Sequence, residues 1–360
     1  MKIRYSILLA INTAFLFSCG SDEVEEVKHD TTPYVLEYGS FPTPDISADN
    51  LLTVEGVKLG RMLFYEKKMS KDNTISCASC HKQVEGFSDA NVFSLGVENR
   101  VGKRQAMPIF NMAWHSNGFF WDGRAPLLRN QALLPIQDHL EMDETLENVV
   151  SKLSGQKLYR NQFIRAFGSE EITSLKVSLA LEQFMHSIVS HSSKYDQYLA
   201  GKVTLTASEE RGRYLYFTEY NPFFPELSGA DCAHCHGGIN LENDDYMNNG
   251  LDADADFRDI GREMVTGRRE DRAKFKVPSL RNIEWTAPYM HDGRFKTLED
   301  VVQHYNQGIK SSTTVDPAIL FTKDTGLFLD EKDIQDLIAF LKTLSDPSLK
   351  TNEAFKDPFL

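Results

Sequence analysis

Four cysteines fall in two short runs, Cys77-Ala78-Ser79-Cys80-His81 and Cys232-Ala233-His234-Cys235-His236, 155 residues apart. Two thiols three residues apart share one helical turn, and the next residue carries an imidazole. This spacing lets a chain form two thioethers to the vinyl groups of a haem while the histidine ligates the iron. A single run of this kind is also compatible with a redox dithiol or half of a zinc site. Two complete copies do not suit zinc, which wants its C-x-x-C knuckles closer together and gives no reason for a His after each. The residues predict two covalently bound haem c groups, attached at Cys77, Cys80, Cys232 and Cys235, with His81 and His236 as proximal iron ligands.

The remaining residues must position these groups. The chain has 360 residues, 39 Lys+Arg and 52 Asp+Glu, for a net charge of −13, and 41% of it is apolar. That length suggests two domains with a core in each. An acidic chain with no basic run does not suit nucleic acid, whose phosphates need clustered Lys and Arg. No internal stretch reaches the roughly 18 apolar residues of a membrane span. Amphipathic helical patterns run through residues 55–65, 172–190, 208–217, 297–305 and 330–344, and no alternating strand pattern stands out. Loops rich in Gly, Asn, Asp and Pro lie between them. The expectation is a mainly α protein of two cytochrome c-like haem domains with long loops, residues 46–205 and 206–345, and a tail at 346–360. The two haem runs look like a degenerate internal duplication.

The fifth cysteine stands apart. Lys2 and Arg4 precede a short apolar run at residues 7–17, and the run ends in Leu16-Phe17-Ser18-Cys19-Gly20. This is the layout of an export signal, and its end resembles a bacterial lipobox. It predicts a lipoprotein-type signal peptide at residues 1–18, a lipid on Cys19 that anchors the chain to a membrane, and a periplasmic or cell-envelope location. The polar, acidic stretch that follows suits a flexible tether, placed at residues 19–45. Export also fits haem c, which is attached outside the cytoplasm. Four thioethers and one lipid account for all five cysteines.

Longer segments now narrow the reading. LGRMLFYEKKMSKDNTISCASCH, FFWDGRAPLLRNQALLPIQDHLEM, CAHCH, FKVPSLRNIEWTAPYMHDGRFKTLEDVV and HYNQG occur in that order. Over roughly residues 50–345 the chain resembles the bacterial di-haem cytochrome c peroxidase (MauG) family. The resemblance implies that the N-terminal haem reacts with hydrogen peroxide and that the C-terminal haem stores or relays electrons. It assigns Glu141 as the distal acid-base group, Gln131 as a distal hydrogen-bonding residue, Pro135 as a pocket-shaping residue and Trp121 as an electron bridge between the haems. It also implies a calcium ion between the domains, on backbone oxygens of Thr286 and Pro288 and a side-chain amide. That amide is usually Asn and is Gln105 here, whose oxygen sits one methylene further out. The acidic run at residues 252–263 lacks the sixth-position glycine of an EF-hand, with Phe257 in its place, and reads as a solvated loop.

Two departures from the peroxidase pattern matter. Peroxidases that need reductive activation carry a His after the first haem run, where it caps the iron; here Ser94-Leu95-Gly96-Val97-Glu98-Asn99 has none. The resemblance then implies an N-terminal iron open on its distal side. At the C-terminal haem the usual distal ligand is a Met, and the corresponding residue is Tyr305, as in MauG. The other candidates for that site are His304 and Met290, and Tyr305 itself could be a packed helix residue. A thioether stabilises ferrous iron, whereas an anionic oxygen stabilises ferric iron and lowers the potential.

The leading expectation is a peroxidase that reduces hydrogen peroxide with electrons from a small cytochrome c or other redox donor. A MauG-like enzyme that uses peroxide to oxidise residues of a protein partner is the second. A non-enzymatic di-haem electron-transfer cytochrome is the third.

Overall fold

In the computed structural model, which describes residues 26–360, the first half of the chain carries six helices. They are α1 (Val54–Tyr65), α2 (Cys77–Cys80), α3 (Leu128–Gln137), α4 (Leu146–Ser154), α5 (Lys157–Phe167) and α6 (Ser174–Ser187). The second half carries α7 (Lys194–Leu199), α8 (Ala207–Phe217), α9 (Glu263–Thr266), α10 (Leu298–Gln303), α11 (Pro317–Leu320), α12 (Glu331–Lys342) and α13 (Pro347–Thr351). Two-residue strands β1 (Tyr246–Met247) and β2 (Phe275–Lys276) pair antiparallel. The predicted signal peptide and Cys19 lie outside the described residues, among which no helix is long and apolar enough to cross a membrane.

One device shapes both halves. Gly60 of α1 lies so close to α6 that a Cβ would collide with the Ala180 carbonyl, and Gly212 of α8 meets the Asp336 carbonyl of α12 in the same way. Only glycine lets the two backbones cross at this distance. Each crossing seals one core: Leu63, Phe64 and Phe184 in the first, Leu215, Tyr216 and Phe340 in the second.

The duplication suspected from the haem runs extends further. Asn111 and Asn282 both adopt left-handed backbone (φ 55° and 57°) ahead of a short turn that ends in Trp114 and Trp285. Each is followed by an isolated bridge, Phe119 to Ala125 and Tyr289 to Phe295. Inside each bridge, Asp122 and Asp292 accept from the amides of Arg124 and Arg294.

The five predicted helices form as α1, α6, α8, α10 and α12, although the fourth leaves α-helical geometry after Gln303 and continues as a π-helical turn, His304–Gly308. The segment between residues 128 and 167, expected as loop, is three helices. α3 contains Pro135 and has no side-chain N-cap; α5 also lacks one. Their helicity comes from packing Ile136, Tyr159 and Phe163 into the first core rather than from local signals.

Both ends of the chain are more engaged than composition suggested. In the expected tether, Pro33 bridges Thr53, Phe41 is buried against Trp114, and Trp114 Nε1 donates to Pro42 O at 2.8 Å. The expected tail crosses back to the first domain. Leu349 and Phe355 enter the first core, and Gln83 Nε2 donates to the carbonyls of Leu349 and Asn352. An apolar residue every few positions is enough for this when a neighbouring domain offers an uncovered face. Phe355 is 4% exposed and packs edge-on to Phe87. A Phe355→Ala variant is expected to lose about 3–5 kcal/mol of stability, read by denaturant unfolding; a loss near zero would mean that the tail does not seal this core.

Candidate active site

His81 and His236 are fixed in the same way. His81 Nδ1 donates to Phe87 O at 3.2 Å and His236 Nδ1 to Pro278 O at 3.0 Å. A carbonyl can only accept, so each Nδ1 carries the proton and each Nε2 keeps its lone pair for a metal. Burial depresses both imidazoles below their ordinary value, His236 to about 4, which keeps them neutral. The four neighbouring cysteines are not paired in disulfides. Burial pushes Cys77, Cys232 and Cys235 up to about 12 and Cys80 up to about 11. A redox C-x-x-C shows the reverse, a lowered thiol. Paired thiols, a neutral imidazole with a free Nε2 and a large adjoining cavity fit haem c at both sites.

The N-terminal cavity brings together most of the residues assigned to its chemistry. His81, Trp121, Gln131, Pro135 and Glu141 all line it. Gln131 and Pro135 stand one turn apart on α3 and so share a face. Burial raises the Glu141 carboxyl to about 7; nearby Asp138 adds to the rise and Arg124 opposes it. The histidine-free loop is tied down beside it. Val97 N donates to Glu141 O at 2.8 Å, and Gly96 leaves no room for a Cβ against the carbonyls of Leu140 and Glu141. Arg100 fastens the same corner through His139 O and Asp143. The His139 side chain is 71% exposed and belongs to the surface.

The C-terminal cavity is lined by His236, Tyr305, Met290 and Asn249. Tyr305 reaches it from the π turn, with a phenol that burial raises to about 12. His304 turns away: it is buried, and its Nε2 donates to Asn249 O at 2.9 Å. The duplicated layout makes a further comparison available. Pro135 stands fourteen residues after Trp121, and Tyr305 fourteen after His291. Where one cavity receives a phenol, the other receives a ring with no donor atom.

Trp121 is shared by the walls of both cavities and is 8% exposed. Its Nε1 donates to Gln105 O at 2.8 Å, its carbonyl accepts from Lys276 N at 2.7 Å, and Gln105 N donates to His291 O at 2.8 Å. Gln105, Thr286 and Pro288 lie along the same wall, and the Gln105 amide nitrogen is committed to Ser88 Oγ and Asp89 O.

Sequence reading missed an ion cluster at this seam. His115 from the first half lies 3.4 Å from Glu242 and 3.3 Å from Asp244 of the second. Asp244 also takes the amides of Ser116 and Asn117 and pairs with the buried Lys276. The three acidic and imidazole donors are close enough for one metal ion, yet the Lys276 ammonium already neutralises Asp244. The cluster pins the two halves beside Trp121. No short motif announces it, because His115, the loop of Glu242 and Asp244, and Lys276 of β2 lie far apart in the sequence. The acidic run is likewise not merely solvated: Asp252 pairs with Arg294, and Asp254 accepts from Thr313 N.

The family described as di-haem cytochrome c peroxidase matches residues 54–204, and that described as cytochrome c matches residues 210–345. The chain is 32% identical over 316 residues to methylamine utilization protein MauG of Methylophilus methylotrophus, covering 86% of this chain and 88% of that protein. It is 34% identical over 307 residues to cytochrome c551 peroxidase of Nitrosomonas europaea, covering 84% of each. Among solved structures, a MauG-like protein associated with microbial copper homeostasis superposes with a TM-score of 0.81 at 34% identity, covering 89% of this chain and 97% of that one. The diheme peroxidase BthA from Burkholderia thailandensis E264 shares the fold, with a TM-score of 0.72 at 21% identity over 90% of this chain and 92% of that one. These likenesses run through both cavities and the wall between them, and the chain belongs to the di-haem cytochrome c peroxidase family, with one haem c domain in each half.

Proposed function

We propose that the protein reduces hydrogen peroxide in the N-terminal cavity, with electrons drawn through the C-terminal haem from a small cytochrome c-type donor. The observation that carries this is the convergence of Glu141 and Gln131 on the cavity of His81, with Pro135 where the other cavity has Tyr305. The haem, when bound, supplies the iron at which peroxide is reduced. Glu141, raised to about 7, exchanges a proton readily near neutral pH and moves it from one peroxide oxygen to the other. Gln131 hydrogen-bonds the bound peroxide, and Trp121 carries electrons through the shared wall. Tyr305, across the same cavity as His236, would hold the C-terminal haem iron through its phenol oxygen. A donor is received near Tyr220 and Thr322, which line that cavity, beside Phe223 and Phe321, 85% and 74% exposed. A calcium ion at the seam would rest on Gln105 and the carbonyls of Thr286 and Pro288. The lipid on Cys19 would hold the protein to a membrane, facing the periplasm.

Tyr305 also supports a MauG-like activity, in which the oxidising equivalents go to residues of a protein partner. An oxygen ligand favours ferric iron and makes electron entry from a typical cytochrome c harder. Peroxide-dependent oxidation of reduced cytochrome c separates the two, since a MauG-like enzyme modifies its protein partner and consumes little cytochrome.

Glutamine at position 141 cannot exchange the proton. Glu141→Gln is expected to lower peroxide turnover about 10²–10⁴-fold, with both haem spectra unchanged. The wild type is expected to gain activity as pH rises from 6 to 8, because the raised Glu141 carboxyl is mostly protonated below 7 and becomes a base above it; the variant should show no such rise. Equal activity in the two proteins would contradict the role. Tyr305→Phe is expected to change the ferric spectrum of the C-terminal haem alone, and an unchanged spectrum would remove Tyr305 as its ligand.

A further inference from the structure

Two side chains able to bond the C-terminal iron converge on one amide. Asn249 Nδ2 lies 3.2 Å from Tyr305 Oη and 3.3 Å from Met290 Sδ, and all three residues line the cavity of His236. The amide is firmly held. His304, the residue before Tyr305, donates to Asn249 O at 2.9 Å, so the π turn that presents the phenol also clamps the backbone of its partner. On the other side, Asn248 Oδ1 accepts from Gly250 N, and Gly250 O accepts from Lys310 N at 2.8 Å. Gly250 has φ +68°, and a Cβ there would press on Ile309. A loop fixed at both flanks gives its side chain little freedom to follow one candidate ligand or the other.

An amide N–H discriminates between these atoms. It donates well to oxygen and weakly to a thioether, and donation to an oxygen bearing charge is about twice as strong as to a neutral one. We propose that Asn249 selects the distal ligand of the C-terminal haem, holding the Tyr305 oxygen in the ligand position and the Met290 sulfur out of it. The proposal rests on Tyr305 being that ligand. Asn249 is a positioning residue: it acts through Tyr305, and its effect is to keep the haem potential on the low, oxygen-ligated side.

The test uses the holoprotein with both haems in place, read by ferric absorption and electron paramagnetic resonance and by a redox titration. Asn249→Leu keeps the bulk and removes the donor. It is expected to give a C-terminal haem that shows, in part of the molecules, the far-red band of a ferric iron–thioether bond, with a higher potential and an unchanged N-terminal haem. Asn249→Leu combined with Met290→Leu should lose that band, whereas Met290→Leu alone should match the wild type. Asn249→Ala, which removes the donor without adding bulk or charge, covers the case in which the leucine variant does not load haem, and is expected to shift the spectrum and potential in the same direction. Wild-type spectra and potential in both Asn249 variants, with Tyr305→Phe clearly altered, would overturn the selector role while leaving the ligand assignment intact. No change in Tyr305→Phe either would overturn the ligand assignment itself.

Discussion

Each half of the molecule is organised by one hydrogen bond, from a proximal imidazole Nδ1 to a backbone carbonyl: His81 to Phe87 and His236 to Pro278. The bond sets the tautomer, aims Nε2 at the cavity and requires the accepting loop to be rigid. In the first domain that loop is held by the Phe87 side chain, packed among Phe64 and Phe355. In the second, the loop of Pro278 is held by Val277 N, which donates to Asp245 O at 2.8 Å, and by Ser279 Oγ, which donates to Asn240 O, while Tyr216, on a helix fixed by the Gly212 crossing, donates to His236 O at 2.6 Å. The cores, the glycine crossings and the returning C-terminus all serve to keep these two carbonyls in place.

The two domains share a plan and differ where chemistry requires it. The bridge-enclosed Asp-Gly-Arg corner is common to both, but it presents Trp121 in one and His291 in the other. The distal position holds a proline in one cavity and a phenol in the other. On the proposed reading, a side chain without a donor leaves its cavity to a small substrate, and a phenol under a fixed amide closes its own. In the proposed function, reactivity and electron storage separate through a few substitutions in a duplicated frame. Trp121, held by Gln105 and Lys276, sits on the wall shared by the two cavities.

Much of this was legible in the sequence because its signals are local. The haem attachment runs, the five amphipathic helices and the missing histidine in residues 94–99 are each contained in one short stretch. What stayed hidden depends on partners far along the chain. α3 and α5 lack caps and gain their helicity from the first core. The buried face of residues 346–360 has meaning only beside Phe87. The cluster of His115, Glu242, Asp244 and Lys276 assembles from segments far apart in the chain, and Asn249 in an ordinary Asn-Asn-Gly turn reveals nothing until the π turn brings Tyr305 to it.

The central claim is that the two irons differ in their distal faces, open beside Glu141 and closed by Tyr305. The most direct measurement is the spin state and ligation of each haem in the resting ferric protein, by electron paramagnetic resonance and resonance Raman spectroscopy. The N-terminal haem is expected to have His81 as its only protein ligand, beside a six-coordinate C-terminal haem with one nitrogen and one oxygen ligand. Two low-spin haems, each with two protein ligands, would contradict it.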